Sequence, residues 1–180
     1  MRLEIMALPK WKDVVTVKTW INTLENSRSV RAFEMYVNGK KMIGSETFWA
    51  VFNTKMRRPE GLALPYDHFE LYPEIKATQK SFSKINIPDN NEMVFEKTVV
   101  LSDLDIVNHV NNVKYLEWCL DHVDETVNLN QNIESLEMNF LKELLLSDFV
   151  EIHQSNTEES SIFSITKESK SVFALQLNWK

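Results

Sequence analysis

A chain of 180 residues, 43% hydrophobic and 26% charged, has the balance of an ordinary globular protein of one domain or two small ones. Its net charge of −6 argues against generic nucleic-acid binding, which needs a basic surface, and no apolar run approaches the roughly 18 residues of a membrane span. Met1-Arg2-Leu3-Glu4-Ile5 lacks the apolar core of a secretory signal, and a single cysteine, Cys119, excludes an internal disulfide, so the expected location is cytoplasmic.

The first third reads as strands. Val15, Val17, Thr19 and Ile21 alternate with polar residues, the period of a half-buried strand. Ser29 to Val37 and Lys40 to Asn53 flank Asn38-Gly39, whose preference for positive φ predicts a two-residue hairpin turn. Thr47 to Phe52 is almost continuously apolar, which predicts a central position with both faces covered. Phe48, Trp49 and Phe52 read as core packing before they read as the lining of an apolar tunnel. Lys55, Arg57 and Arg58 form the densest cationic run, with Lys40 and Lys41 next; both read as solvated loops.

From about Arg57 to Glu92 the character changes. Pro59, Pro65, Pro73 and Pro88 fall here, and proline interrupts ladders and helices alike. Residues 59–92 are therefore expected to be a proline-rich interdomain linker, with room for a short helix between Pro73 and Ser83. The domains on either side are 1–58, strands only and incomplete, and 93–180, complete.

In the second domain a strand from Phe95 to Leu101 leads into a helix from about Val110 to Val127. Val113, Leu116, Leu120, Val123 and Val127 recur at three and four, one stripe facing a sheet. Four strands follow, marked by Leu136, Met138 and Phe140; by Val150 and Ile152; by Phe163 and Ile165; and by Phe173, Leu175, Leu177 and Trp179. The first domain, by contrast, shows neither an amphipathic helix nor a leading strand. A sheet with one apolar face must cover it, so the chain is expected to begin late or to be covered by another chain.

Between strand and helix lies Ser102-Asp103-Leu104-Asp105-Ile106-Val107-Asn108-His109-Val110-Asn111-Asn112. Polar groups concentrated at such a junction are costly to bury unless they bond to each other or to a substrate. Asp105 can accept from a water or fix a tautomer of His109, and His109 can move a proton near neutral pH. The competing reading makes Asp105 a helix cap and His109 a packed core residue. Asn108, Asn111 and Asn112 are either caps or donors to a substrate oxygen. Cys119, inside the helix and without dipole help, reads as structural. His68, His122 and His153 show no metal-ligand spacing.

Asp105-x-x-x-His109-Val110-Asn111-Asn112-x-x-Tyr115 resembles the signature of hotdog-fold acyl thioesterases. The longer run from Ser102 to Trp118 is most similar to the second hotdog domain of acyl-acyl-carrier-protein thioesterases, and the resemblance extends over essentially the whole chain. It implies an α+β double hotdog of antiparallel sheets with a long central helix in the second domain. The first domain would lack its leading strand and helix. The implied activity is hydrolysis of acyl-acyl-carrier-protein thioesters to free fatty acid, with acyl carrier protein as partner, no metal or redox cofactor, and room for a homodimer.

The family motif, Asp-x-Asn-x-His, sets Asp105 and His109 in catalytic positions but finds Val107 where the amide belongs; Asn108, one residue on, is the nearest substitute. The family's further catalytic carboxylate, after an aromatic on the next strand, corresponds to Glu143 in Phe140-Leu141-Lys142-Glu143. Two other readings stay open. One is a coenzyme-A thioesterase of the 4-hydroxybenzoyl-CoA type; the other is a non-catalytic acyl-binding hotdog protein, favoured by Val107.

Overall fold

The computed structural model describes residues 1–53, 55–56, 58–63, 65–123 and 133–180. They form two compact units, Met1–Phe82 and Ser83–Lys180. Among them, no helix is long and apolar enough to cross a membrane.

The first unit is an antiparallel sheet of β1 (Arg2–Ile5), β2 (Val15–Glu25), β3 (Arg28–Val37) and β4 (Lys40–Ala50), in the order β2-β3-β4-β1. Asn38 and Gly39 both take positive φ, 51° and 78°, so the expected hairpin turn closes β3 onto β4 with Val37 opposite Lys40. Arg2–Ile5 is a strand that sequence alone does not reveal, since four residues carry too little alternation to show a period. A small hairpin, β5 (Phe52–Asn53) with β6 (Arg58–Pro59), follows the sheet.

The pairing register puts Val17, Met35, Ile43 and Ile5 in one row on one face, with Thr19, Phe33, Ser45 and Leu3 in the next. The opposite face carries Lys18, Glu34, Gly44 and Glu4, then Trp20, Ala32, Glu46 and Arg2. Across this polar face runs an extended strap, residues 72–80, and it contains no helix. The expected helix between Pro73 and Ser83 is absent because the backbone groups it would need are taken by side chains of the sheet. Asn22 Nδ2 donates to Tyr72 O and Ile75 O at 2.8 and 2.7 Å, and Trp20 Nε1 donates to Ile75 O at 2.9 Å. Lys41 Nζ donates to Ala77 O at 2.7 Å, and Ala77 N–H donates to Glu46 at 3.2 Å. Glu4 accepts from the N–H groups of Gln79 and Lys80, at 2.6 and 3.1 Å.

The apolar run at 47–52 is not central. Phe48, Trp49, Val51 and Phe52 are exposed, Trp49 at 57%, because β4 reaches its end at Ala50 and the chain leaves the sheet there. Of the cationic runs, Lys41 pairs with Glu34 at 2.6 Å; Arg57 lies outside the described residues.

The second unit contains β7 (Glu92–Thr98), a 3-10 turn at Leu101–Asp103, α1 (Asn112–Leu120), and then β8 (Ile133–Phe140), β9 (Phe149–Asn156), β10 (Ser160–Lys167) and β11 (Lys170–Trp179). The strands are antiparallel in the order β8-β11-β10-β9-β7. Register aligns Phe140 with Phe173, Met138 with Leu175, and Leu136 with Leu177 on one face, continued by Phe163, Ile165 and Ile152. All of these but Phe140, at the end of β8, are buried and form the core of the unit.

Helix α1 lies on that face by a stripe that matches the expected one only in part: Val123 is buried and Leu116 and Leu120 are half-buried, but the most enclosed residues of the helix lie elsewhere. Tyr115, Trp118 and Cys119 are buried, while Val113 is 56% exposed. The aromatic residues win because they reach farther across the sheet. The Tyr115 ring stands 5.3 Å from that of Phe173, Lys97 Nζ lies 5.0 Å over Trp118, and His122 stacks 4.9 Å from Phe95. The described helix is also shorter than expected. Asn111 caps its start by accepting from Val113 N–H, and after Leu120 the bonds tighten to His122 N–H onto Cys119 O and Val123 N–H onto Leu120 O. Val127, the last residue of the expected stripe, lies outside the described residues.

The other face of this sheet is polar and is tied down by residues 83–91. Asn139 donates to Ser83 O at 3.0 Å and accepts from Ile85 N–H at 2.8 Å; Glu137 accepts from Ser83 N–H; Asn91 donates to Ser164 at 2.7 Å.

Candidate active site

The junction between β7 and α1 folds into a closed loop. Asp103 is buried, and its Oδ2 accepts from Val100 N–H at 2.9 Å and pairs with Lys97 at 3.3 Å. Its carbonyl accepts from Asn111 N–H at 2.9 Å, so the loop begins and ends at one place. Leu104 bridges Val110, Asp105 N–H donates to His109 O at 2.8 Å, and Asn108 N–H donates to Asp105 O at 3.1 Å. Asp105 Oδ1 accepts from Val107 N–H at 2.9 Å and His109 N–H at 3.2 Å. Asp105 therefore holds the loop that carries His109; it caps no helix, a task that falls to Asn111.

Glu143 meets His109 for a reason legible in the backbone. Val110 N–H donates to Leu144 O at 2.9 Å, which sets residue 143 beside residue 109. Glu143 Oε1 lies 3.6 Å from His109 Nδ1, with the two side chains 45% and 32% exposed. That is ion-pair reach for a protonated imidazole, and a spacing that closes to a hydrogen bond with a small movement. A carboxylate at Nδ1 favours the proton there, leaving Nε2 as the basic nitrogen.

Of the four expected residues, the fold brings together His109 and Glu143, and joins Asp105 to His109 through the main chain. Asn108 stands apart in character. It is exposed at the turn with φ of 64°, a left-handed conformation that asparagine tolerates and a β-branched residue does not, which is sufficient reason for an asparagine there. Val107, beside it, is 60% exposed.

Two residues that spacing alone leaves unassigned also shape the site. Asp103 ties the loop ends, and the Tyr115 hydroxyl accepts from Leu144 N–H at 3.1 Å. Both lie within the Ser102–Trp118 run, yet only three-dimensional contacts disclose what they touch. Cys119 is fully buried, and burial pushes its thiol far above the usual range, which suits packing and not attack.

Architecture and site together define an α+β double hotdog with a histidine–carboxylate pair beside the N-terminus of the second unit's helix. Residues 87–179 match the acyl-ACP thioesterase C-terminal domain, and residues 1–67 match the acyl-ACP thioesterase N-terminal domain. The chain belongs to the acyl-ACP thioesterase family. Among solved structures, an acyl-ACP thioesterase from Bacteroides thetaiotaomicron superposes with a TM-score of 0.87 at 24% identity, covering 99% of this chain and 74% of that one. A 12:0-ACP thioesterase from Umbellularia californica gives 0.82 at 20% identity, covering 99% and 72%. These likenesses concern the fold. In sequence, a chloroplastic acyl-[acyl-carrier-protein] hydrolase, FATB3 of Cuphea viscosissima, is 27% identical over 154 residues, 79% of this chain and 36% of the relative. The chain spans less than half the length of the curated relatives it matches.

Proposed function

We propose that this chain hydrolyses acyl thioesters carried on acyl carrier protein, releasing a free fatty acid in the cytoplasm. The observation that carries the reading is the approach of Glu143 Oε1 to His109 Nδ1, 3.6 Å, on a loop fixed by Asp105. His109 Nε2 takes a proton from water as the water oxygen bonds to the thioester carbon. Glu143 steadies the imidazolium across Nδ1. The tetrahedral oxyanion is met by the Asn112 N–H, since the Val113 and Lys114 N–H groups are taken by Asn111, and by the Asn108 amide, the nearest stand-in for the one absent at Val107. Collapse breaks the carbon–sulfur bond, and the departing thiolate takes the proton from His109. Asp105, whose Oδ1 is engaged with the loop, orients the water through Oδ2.

Family membership supports acyl carrier protein as the carrier. A net charge of −6 opposes an acidic partner, so a local basic area has to receive it. Val107 favours a second reading, in which the site binds acyl chains with little turnover. Thiol release measured with acyl-carrier-protein and coenzyme-A thioesters side by side separates these readings. Faster release from the carrier protein supports the proposal. Preference for coenzyme A moves the chain to the other hydrolase reading, and binding without release makes it an acyl-binding protein.

A further inference from the structure

A carboxylate that serves His109 must be held in place, and Glu143 stands on an exposed loop. Leu141, Leu145 and Leu146 are exposed there, and Leu144 alone of these leucines is enclosed. Hydrogen bonds to the main chain supply what burial does not. Ahead of Glu143, the N–H groups of Leu141 and Lys142 both donate to Val172 O, at 2.9 and 3.1 Å. Behind it, Leu144 O accepts from Val110 N–H at 2.9 Å, and Leu144 N–H donates to the Tyr115 hydroxyl at 3.1 Å.

We infer that Tyr115 is a positioning residue for Glu143: its hydroxyl, through the Leu144 N–H, sets the carboxylate against His109 Nδ1. The ring alone does not need to be tyrosine. It packs among Trp118, Phe140 and Phe173, at 5.7, 5.7 and 5.3 Å, a setting that suits phenylalanine equally well. Tyr115 as a whole is 2% exposed, and a hydroxyl on so enclosed a side chain is a cost unless it finds a partner; the partner it finds adjoins Glu143. Burial pushes the phenol up to about 12, against the lowering effect of the Leu144 N–H and with the charges of Glu143 and Asp148 adding to the rise. The group stays a neutral phenol across the working pH range, so its role is to hold a main-chain group and not to transfer a proton.

The kinetic consequence rests on the proposed hydrolysis; the geometric one does not, so Tyr115→Phe is read out in both ways. In wild type, the Glu143 carboxyl carbon signal in NMR follows the protonation of His109. In Tyr115→Phe that response is lost, and the Leu144 amide exchanges with solvent about tenfold faster or more. In turnover, Tyr115→Phe lowers kcat about tenfold with KM unchanged, since misplacing a reacting group costs rate before binding. The same substitution in a Glu143→Gln background costs less than about twofold, because the residue it positions is already disabled.

Equal losses in both backgrounds mark a general structural role and overturn the inference. So does a folded Tyr115→Phe with unchanged carboxyl response and Leu144 exchange, whether or not the wild type turns over. A wild type without turnover defeats the hydrolase reading alone. Should Tyr115→Phe fail to fold, 3-fluorotyrosine at 115 keeps the hydroxyl but weakens it as an acceptor. Faster Leu144 exchange is then the expected result, and unchanged exchange the contradicting one.

Discussion

At His109 and Asp105 the chemistry and the scaffold can be told apart by substitution. His109→Ala should lower thioester hydrolysis by roughly two to four powers of ten, the range of an acid–base group, with little change in Tm. Asp105 does two things. Asp105→Ala removes the acceptor of two loop N–H groups and should cost about 1–3 kcal/mol in stability as well as rate, measured by denaturant unfolding. Asp105→Asn keeps an oxygen at Oδ1, so stability should hold while the rate falls on the order of 10²-fold. Full rate in Asp105→Asn would reduce Asp105 to a scaffold. Val107→Asn restores the amide of the family motif. It should raise the rate if an oxyanion or water donor is missing; an unchanged rate would show that Asn108 or the Asn112 N–H already suffices. The Asp105 and His109 positions were legible in the sequence because a short motif carries them. The Glu143 contact was legible only by resemblance, because a 3.6 Å approach depends on a main-chain bond, Val110 to Leu144, that no local pattern encodes.

Among the elements, the strap over the first sheet makes the sharpest demands. A Cβ on Gly44 would stand 1.9 Å from the Ala77 carbonyl oxygen, so Gly44→Ala must push the strap off its face. About 3 kcal/mol of destabilisation or more is expected by chemical denaturation, the upper range of overpacking. Glu4 gives the same strap a pH dependence. Burial works to raise its pKa, but the Gln79 and Lys80 N–H groups and Arg2 outweigh burial and leave it below the ordinary 4.5. A carboxyl with a lowered folded pKa stabilises above its unfolded value and loses that contribution as pH falls through the folded one. Exchange of the Gln79 and Lys80 amides should therefore rise below the usual carboxylate range, and Glu4→Gln should abolish the dependence. Elements of strong period, such as β10 and β11, were legible from alternation alone. The face of α1 was legible only in part: Val123 of the expected stripe is buried and Leu116 and Leu120 are half-buried, but the size of the aromatic rings turns Tyr115 and Trp118 inward and leaves Val113 exposed. The run at 47–52 misled because apolar composition reports burial only where a partner exists.

On the scale of the molecule, each unit covers a polar sheet face with an extended, side-chain-bonded segment. The second unit alone has a helix among the described residues, and it lies on the apolar face. On the first sheet, the row of Val17, Met35, Ile43 and Ile5 is only partly covered, with Val17 exposed. An apolar row of this kind promotes association. Val17→Lys should shift the protein toward smaller species in sedimentation, and an unchanged distribution would show that the row plays no part in assembly. The central claim concerns the pair at the second unit's helix, and it is tested most directly by the rate of thiol release from acyl-carrier-protein thioester. The rate is compared between wild type, His109→Ala and Glu143→Gln, all shown to be folded. The account predicts measurable release by wild type and a loss of about two powers of ten or more in each variant. Release that survives both substitutions undiminished would place the chemistry elsewhere in the chain.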